Sequence, residues 1–301
     1  MNSIKLILTL LIVGLFWNAN AQLEPIYTQY HFNQYLINPA FGGLYENAAI
    51  SFNSRAQWYG LDGAPFTNTL TLESSIGDHA GMGFRVMHDQ IGISNQTEVM
   101  ASASYYIKSH FMKIGMGLQG GVSTVSNNIN ELDQKVFNDP NLSNIPPTST
   151  RPNFGVGIVI HRFDYFLALS IPRILDNGGA IVEDDPRNER HIYLSTGCRF
   201  TLFRSKDTKL QTLMRVVGDR ISFDLAGTYF ITDFLWAGAM LRDYHGVSFF
   251  GKLKLDNHFS VGYSFELPTN NLIFTNYGTH EVTLSYIFKP FKSHQSQERF
   301  F

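Results

Sequence analysis

The 301-residue chain has a net charge of −2, and only 16% of its residues are charged. A nucleic-acid-binding protein needs a strongly basic surface, which this nearly neutral balance excludes. Soluble domains carry about a quarter charged residues, so the low charge, together with 25 Phe and 14 Tyr, favours a protein that faces lipid. The single cysteine, Cys198, excludes an internal disulfide.

Residues 1–21 are predicted to be a secretory signal peptide. Lys5 supplies the positively charged N-terminal region, and residues 6–16 form the apolar region. Residues 19–21 are Ala-Asn-Ala, a cleavage site of small residues. The apolar stretch is too short to span about 30 Å of hydrocarbon. We therefore expect a mature chain that begins near Gln22.

Residues 22–48 follow neither a strand period nor a helix period. Pro39 biases Asn38 towards an extended conformation, and Gly42 and Gly43 permit a tight turn with positive φ. We predict a short periplasmic or lumenal segment folded into or under a barrel. A simple strap that closes the barrel is the alternative.

Residues 49–288 alternate apolar and polar side chains in segments of about ten residues, which predicts an all-β, transmembrane outer-membrane β-barrel of about 14 antiparallel strands. In the last segment Val282 and Leu284 share one face, and Glu281 and Thr283 share the other. The predicted strands are 49–58, 67–76, 80–89, 97–108, 111–123, 152–161, 164–171, 190–203, 208–218, 220–230, 234–243, 246–255, 258–266 and 281–288.

The connections between these strands are sorted by length. We number the connections in chain order, so that connection 1 follows the first strand. Every even-numbered connection is short, and the long ones, such as 124–151 and 172–189, are all odd-numbered. Outer-membrane barrels combine short periplasmic turns with longer extracellular loops. The sorting therefore predicts a cell outer membrane location, with both termini in the periplasm.

The predicted lumenal face carries charges of both signs. A polar channel or a socket for an inserted peptide is one interpretation; an internal lattice of ion pairs is the other, and the near balance of signs favours the lattice. The charged residues are Arg55, Arg85, Arg199, Arg215, Arg242, Asp89, Glu98, Asp224 and Glu266.

Two His–Asp neighbours, Asp78-His79 and His88-Asp89, are the nearest approach to catalytic residues. Adjacent residues on a strand point to opposite faces, so neither pair forms a dyad. We predict no catalytic residues, no metal site and no cofactor, and hence no enzyme. An outer-membrane enzyme would need an acid, a base and a nucleophile together at one rim.

Six short motifs follow one another in an ordered spacing. They are Gln29-Tyr30 with Asn33, Asn38-Pro39-Ala40-Phe41-Gly42-Gly43, Arg55-Ala56-Gln57-Trp58, Gly63-Ala64-Pro65-Phe66-Thr67, Asp89-Gln90-Ile91-Gly92 and Pro152-Asn153-Phe154-Gly155-Val156-Gly157. Together, with weaker support from Ser170-Ile171-Pro172, they resemble the PorP/SprF family, outer-membrane proteins of the type IX secretion system of Bacteroidetes. The tail, residues 289–301, departs from the usual barrel, whose last strand ends at or near the C-terminus.

The resemblance implies a non-enzymatic partner for the export or anchoring of type IX cargo, including large gliding adhesins, at the cell surface. It also implies a link to periplasmic components of that machinery, and we hypothesise that residues 22–48 and the tail contact them. We hypothesise that the outer loops 124–151 and 172–189 dock the C-terminal signal domain of a cargo. The candidate anchors are Phe66, Ile145, Pro146 and Pro147.

Two further alternatives remain open. A passive outer-membrane pore or small-solute transporter would share the fold and would conduct in planar bilayers. A secreted β-sandwich binding module would appear in the soluble fraction.

Overall fold

The chain forms a closed barrel of fourteen antiparallel strands in the computed structural model, which describes residues 27–128, 148–175, 190–202, 206–218, 220–243 and 246–288. Each strand pairs with its neighbours in sequence, and the first strand closes the barrel by pairing with the last, Ala48 opposite Phe288. The predicted all-β barrel is confirmed. The predicted signal peptide and the tail lie outside the described residues.

The strand ends lie within four residues of the predicted ones. In chain order the strands are β1 (Ala48–Ala56), β2 (Phe66–Ile76), β3 (Ala80–Ile91), β4 (Ser94–Lys108), β5 (Lys113–Asn127), β6 (Thr148–Arg162), β7 (Tyr165–Ile171), β8 (His191–Leu202), β9 (Lys206–Val217), β10 (Arg220–Phe230), β11 (Leu235–Arg242), β12 (Gly246–Lys254), β13 (Phe259–Pro268) and β14 (Thr279–Phe288). The largest differences flank one loop, because β5 and β6 extend into the segment predicted as loop 124–151.

The two ends of the barrel differ. Connections after even-numbered strands have four residues or fewer, and we call this end the turn end. Connections after odd-numbered strands lie at the opposite end, the loop end, which carries every longer connection. Because β14 runs from the loop end to the turn end, Phe288 lies at the turn end.

The outward side chains of β1–β6 mark a boundary of the lipid-facing band. One row in direct register is polar throughout: Ser54, Asn68, His88, Thr97, Thr124 and Thr150. Two residues nearer the turn end, the matching row is apolar throughout: Phe52, Leu70, Val86, Val99, Val122 and Pro152. Hydrocarbon offers polar groups no hydrogen bonds, so on this side the apolar band ends between the two rows.

The segment before β1 contains three short 3₁₀ turns, Gln29–His31, Gln34–Leu36 and Pro39–Phe41. The side chain of Asn38 caps the third turn by accepting the N–H of Ala40 at 2.9 Å. Within the part of the chain that the structure describes, no helix is long and apolar enough to cross a membrane, a finding that has no bearing on strands.

Candidate functional site

Residues 27–47, which we call the plug, cross the inside of the barrel. The plug begins in the loop-end half, where the backbone N–H groups of Thr28 and Gln29 donate to the carboxylate of Glu281 at 2.6 and 2.9 Å. It finishes at the turn end, where Glu46 lies 2.7 Å from Lys108. All plug residues except Phe32 and Glu46 are buried. The plug therefore fills the lumen along most of its length.

A chain of buried ion pairs surrounds the start of the plug. The chain joins side chains from β1, β14, β13, β11, β10 and β9. The pairs are Arg55–Glu281 (3.0 Å), Arg55–Glu266 (3.5 Å), Arg242–Glu266 (2.7 Å), Arg242–Asp224 (3.4 Å) and Arg215–Asp224 (2.9 Å). The predicted lattice of lumenal ion pairs is confirmed, and it holds the plug directly, since Arg242 also donates to the carbonyl of Tyr27 at 3.2 Å.

A second buried cluster lies on β3 and β4. Glu98 accepts from Arg85 at 2.6 Å and from Arg173 at 2.8 Å, and Arg85 also donates to the carbonyl of Leu36 at 2.7 Å. A cavity of about 40 Å³ lies between these arginines and Tyr27. A cavity of this size holds only a few water molecules.

The plug lies against glycines of β3, β5 and β6, which we call the glycine wall: Gly81, Gly83, Gly117 and Gly157. A Cβ at Gly117 would overlap the backbone of Ala40, and one at Gly81 would overlap the carbonyl of Gly42. Only glycine allows this approach of backbone to strand. The wall therefore fixes the position of the plug.

The motif around Asn38 meets two later motifs at this wall. The amide of Asn38 donates to the carbonyls of Ile158 and Leu169, each at 3.2 Å, and Ser170 donates to the carbonyl of Ile37 at 2.7 Å. Gly43 has the predicted positive φ, at 88°, whereas Gly42 has a φ of −61°. Gly42 is instead confined by the ring of Tyr35, 3.2 Å from where its Cβ would lie.

Three other motifs meet at the loop end. The connections 57–65, 92–93 and 269–278 form what we call the lip, because backbone hydrogen bonds join them: Tyr59 exchanges two with 277–278, each 2.8 Å, and Gly92 donates to Gly63 at 3.0 Å. Trp58 and Gly63 both have positive φ, 50° and 72°. Non-glycine residues rarely adopt this conformation, so the lip is a defined structure.

Below the lip, Asp89 accepts from the hydroxyl of Thr67 at 2.6 Å, and Pro65 accepts from the N–H of Gln57 at 2.9 Å. These contacts join the motifs that contain Arg55, Gly63 to Pro65 and Asp89. The structure thus gathers the family-motif residues into two groups, one against the glycine wall and one at the lip.

The lip exposes large apolar side chains. Phe274 is 88% exposed, Tyr277 75% and Tyr59 60%. Aromatic rings of this size, presented on fixed backbone, are the usual anchors of protein interfaces.

The predicted docking residues are only partly described. Phe66 begins β2 on its outward face and is 43% exposed. Ile145, Pro146 and Pro147 lie outside the described residues. The aromatic residues of 269–278 in the lip belong to none of the six motifs, so the sequence motifs did not indicate them.

The His–Asp neighbours are separated as predicted. Asp89 faces the lumen, whereas His88 faces outward, 3.0 Å from the hydroxyl of Thr97. His79 contacts the carbonyl of Tyr106 through its Nδ1 at 2.9 Å. Among the described residues, no three His, Cys, Asp or Glu side chains converge to hold a metal ion.

The turn-end contact of the plug is electrostatic. Partial burial opposes ionisation of Glu46, but hydrogen bonds from Lys108 and Lys113 outweigh it, and together they lower the pKa of this carboxyl below its usual value. The carboxylate is therefore ionised at neutral pH, and it ties the plug to β4 and β5.

The family model of the type IX secretion system membrane protein PorP/SprF matches residues 19–286. Among solved structures, the KdgM porin is 11% identical with a TM-score of 0.37, over 79% of this chain and 98% of that chain. A mutant of the Rh. blastica porin is 12% identical with a TM-score of 0.35, over 80% and 99%. No curated protein sequence matches. The family match spans most of the chain, whereas the structural scores are too low to support an argument.

Proposed function

The chain belongs to the PorP/SprF family of type IX secretion system membrane proteins, and from this premise we propose that it helps to export or anchor particular cargo proteins at the cell surface. The observation that carries the proposal is the lip, a fixed backbone structure that exposes Tyr59, Phe274 and Tyr277. Its occupant is the C-terminal signal domain of a cargo, such as a large surface adhesin.

The packed lumen supports docking over passage of solute. The plug is held by the carboxylate of Glu281, the guanidinium of Arg85 and the glycine wall. A passive pore or small-solute transporter needs a continuous wet path, and a plug that is buried at all but two of its residues opposes such a path.

We orient the loop end outward and the turn end towards the periplasm, following the general arrangement of long and short connections in outer-membrane barrels. Phe288, at the end of β14, then lies on the periplasmic side, where we propose the contact with the secretion machinery. Tyr27 lies in the loop-end half of the lumen, where its hydroxyl is 2.7 Å from that of Thr69. The plug thus meets the periplasm through its Glu46 end.

The docking proposal is tested by removing the lip aromatics. The double variant Tyr59→Ser, Phe274→Ser and the native protein are purified from detergent-solubilised outer membrane, and the co-purifying chains are identified. We expect recovery of the adhesin to fall about tenfold or more, as for loss of interface anchors. The matched control is Phe111→Ser with Phe163→Ser, which removes two exposed rings at the turn end.

In a second variant a short Gly-Ser linker replaces residues 128–147. This replacement leaves β5 and β6 complete, whereas removal of 124–151 would cut both strands. We expect normal insertion, shown by a heat-dependent shift in gel mobility, together with loss of cargo from the cell surface. Unchanged recovery and surface retention of cargo in both variants would refute the docking role.

A further inference from the structure

Strand β6 is longer than the strand that follows it, so one of its edges is unpaired at the loop end. On one side β6 pairs with β5 from Thr148 to His161. On the other side its pairing with β7 begins only at Val156. Among the described residues, no strand therefore lies against residues 148–152 on the side away from β5. We call these five residues the free edge.

The chain that follows β7 turns inward and leaves the free edge uncovered. Pro172 accepts from the lumenal amide of Gln119 at 2.7 Å. Ile174 donates its N–H to the carbonyl of Phe154 at 2.8 Å, and the N–H of Phe154 donates to the side chain of Asn153 at 2.7 Å. Both backbone groups of Phe154 are thus used, and the free edge begins beyond it.

The free edge presents backbone donors and acceptors. Backbone groups of alternate residues in a strand point to the same side. Phe154 bonds on the side away from β5, and the register of β5 and β6 is unbroken, so Thr150 and Thr148 present their N–H and C=O groups on that side. Pro152 presents a C=O there, and proline within a sheet is typical of an edge. All three of these residues are exposed.

The free edge extends beyond the apolar band. Thr150 belongs to the polar row that marks the boundary of the band, and Thr148 lies two residues nearer the loop end. Unpaired backbone groups are too costly in hydrocarbon, whereas here they can meet water. Sheets usually protect an exposed edge with charged side chains or a covering segment. The outward side chains of this edge are Thr and Pro, so an extended chain can add to it as a further strand.

A cation lies in the middle of the free edge. Arg151 is half-buried on the lumenal face, and its Nε donates to the hydroxyl of Ser149 at 3.3 Å. No carboxylate of the described chain lies within salt-bridge distance of Arg151. On the side away from β5 it occupies a non-hydrogen-bonded position, where the side chains of two antiparallel strands lie closest. A carboxylate on an added strand would pair with it there.

We propose that the free edge binds an extended peptide segment as an added antiparallel strand, with an acidic residue opposite Arg151. The backbone of Thr148 and Thr150 supplies affinity, and the ion pair fixes the register. The neighbouring strand β5 leads to the lip, since Asn128 donates its N–H to the carbonyl of Ile93 at 2.9 Å. Only the origin of the segment, an exported cargo, rests on the proposed function.

The test uses the whole mature protein in detergent micelles and a dye-labelled heptapeptide, Thr-Val-Thr-Glu-Thr-Val-Thr, with binding measured by fluorescence anisotropy. We expect saturable binding. Thr150→Pro removes an edge donor and obstructs the approach of a strand but keeps every bond to β5, so it should weaken binding about tenfold or more. Thr150→Val is the matched control, and it should bind as the native protein does because the edge backbone is unchanged.

Two altered peptides test the native protein itself. A peptide methylated at every backbone nitrogen cannot donate to the edge, so it should not bind. Replacing the Glu of the peptide by Gln should weaken binding about two- to fivefold, as for loss of a cross-strand ion pair. The same replacement should have no effect on binding to Arg151→Gln.

Absence of binding to the native protein would overturn the proposal. Equal binding by Thr150→Pro, or binding of the methylated peptide, would overturn it as well, because either result excludes pairing through the backbone. The lip variant Tyr59→Ser, Phe274→Ser should bind the peptide as the native protein does, so failure of docking at the lip is distinguishable from failure here. Heat-dependent gel mobility verifies that each variant is folded.

Discussion

The two walls of the lumen hold the plug in different ways. On β3, β5 and β6 the strands present glycine, and the plug backbone lies directly against them. On β9 to β12 the strands present long side chains such as Lys209, Trp236 and Phe250, which contact the plug through its rings at Phe32 and His31. One wall is a close backbone fit, and the other is a layer of cations and aromatic rings.

This difference separates a contact made by backbone from one made by side chains. The glycine wall has no side chains to move, so its contact with residues 38–43 has one geometry. The opposite wall keeps unused hydrogen-bonding groups at Gln211 and Trp236. The plug is therefore held in one geometry at the glycine wall and by side chains that can change conformation at the opposite wall.

The largest effect is expected from Glu281→Gln. Glu281 accepts from Thr28, Gln29 and Asn53, and it pairs with Arg55 at 3.0 Å. The variant leaves a buried guanidinium without its nearest carboxylate, so the free energy of unfolding in detergent should fall by about 3–5 kcal/mol. Denaturant titration measures this.

The control for this prediction is Asp164→Asn. Asp164 pairs with Arg199 at 3.4 Å but is largely exposed, so its loss should cost less than about 1 kcal/mol. Similar denaturation midpoints for the two variants would show that the buried lattice does not hold the barrel and plug together.

The next effect concerns the glycine wall. Gly117→Val places a side chain where Ala40 lies, so the unfolding free energy should fall by about 1–3 kcal/mol. The displaced plug should also raise single-channel conductance in planar bilayers above the low value expected for the native chain. Gly227→Ala is the control, since its Cβ would lie 3.6 Å from Leu210, an ordinary contact. A native protein that already conducts freely would favour the passive pore.

The smallest effect concerns the turn-end contact of the plug. The pKa of Glu46 is lowered by Lys108 and Lys113, against the effect of burial, so the carboxylate stabilises the fold above its unfolded pKa. The native protein should exceed Glu46→Gln in stability by no more than about 1 kcal/mol at pH 7. This difference should shrink as the pH falls below 4.5, the usual value. Unfolding titrations of both proteins at pH 7 and at pH 4 compare them, and a constant difference would contradict the assignment.

The barrel itself could be predicted from the sequence, because alternation is a local property. A side chain two residues along a strand returns to the same face, so Val282 and Leu284 indicate a lipid-facing wall without knowledge of any partner. The sorting of short and long connections is equally local. Strand ends shifted most at β5 and β6, where polar residues such as Thr124 and Thr150 continue the sheet beyond the apolar band.

The interior could not be predicted in the same way. Leu213 shares the lumenal face of β9 with Arg215, so the alternation of apolar and polar side chains is imperfect in this strand. The structure explains Leu213, because it packs in a cluster with Tyr30 and Leu36 of the plug. An apolar side chain that faces the lumen is stable only when another segment covers it. The segment that covers Leu213 is the plug, which lies far away in the sequence.

The sequence by itself determined a barrel wall, its two faces and its two kinds of end, since each depends on neighbours within a few residues. Only the tertiary structure decided that Glu281 receives the plug, that the glycines form one wall and that three connections join into the lip. Those contacts depend on register around a closed ring and on the path of the plug through it, which are properties of the whole chain.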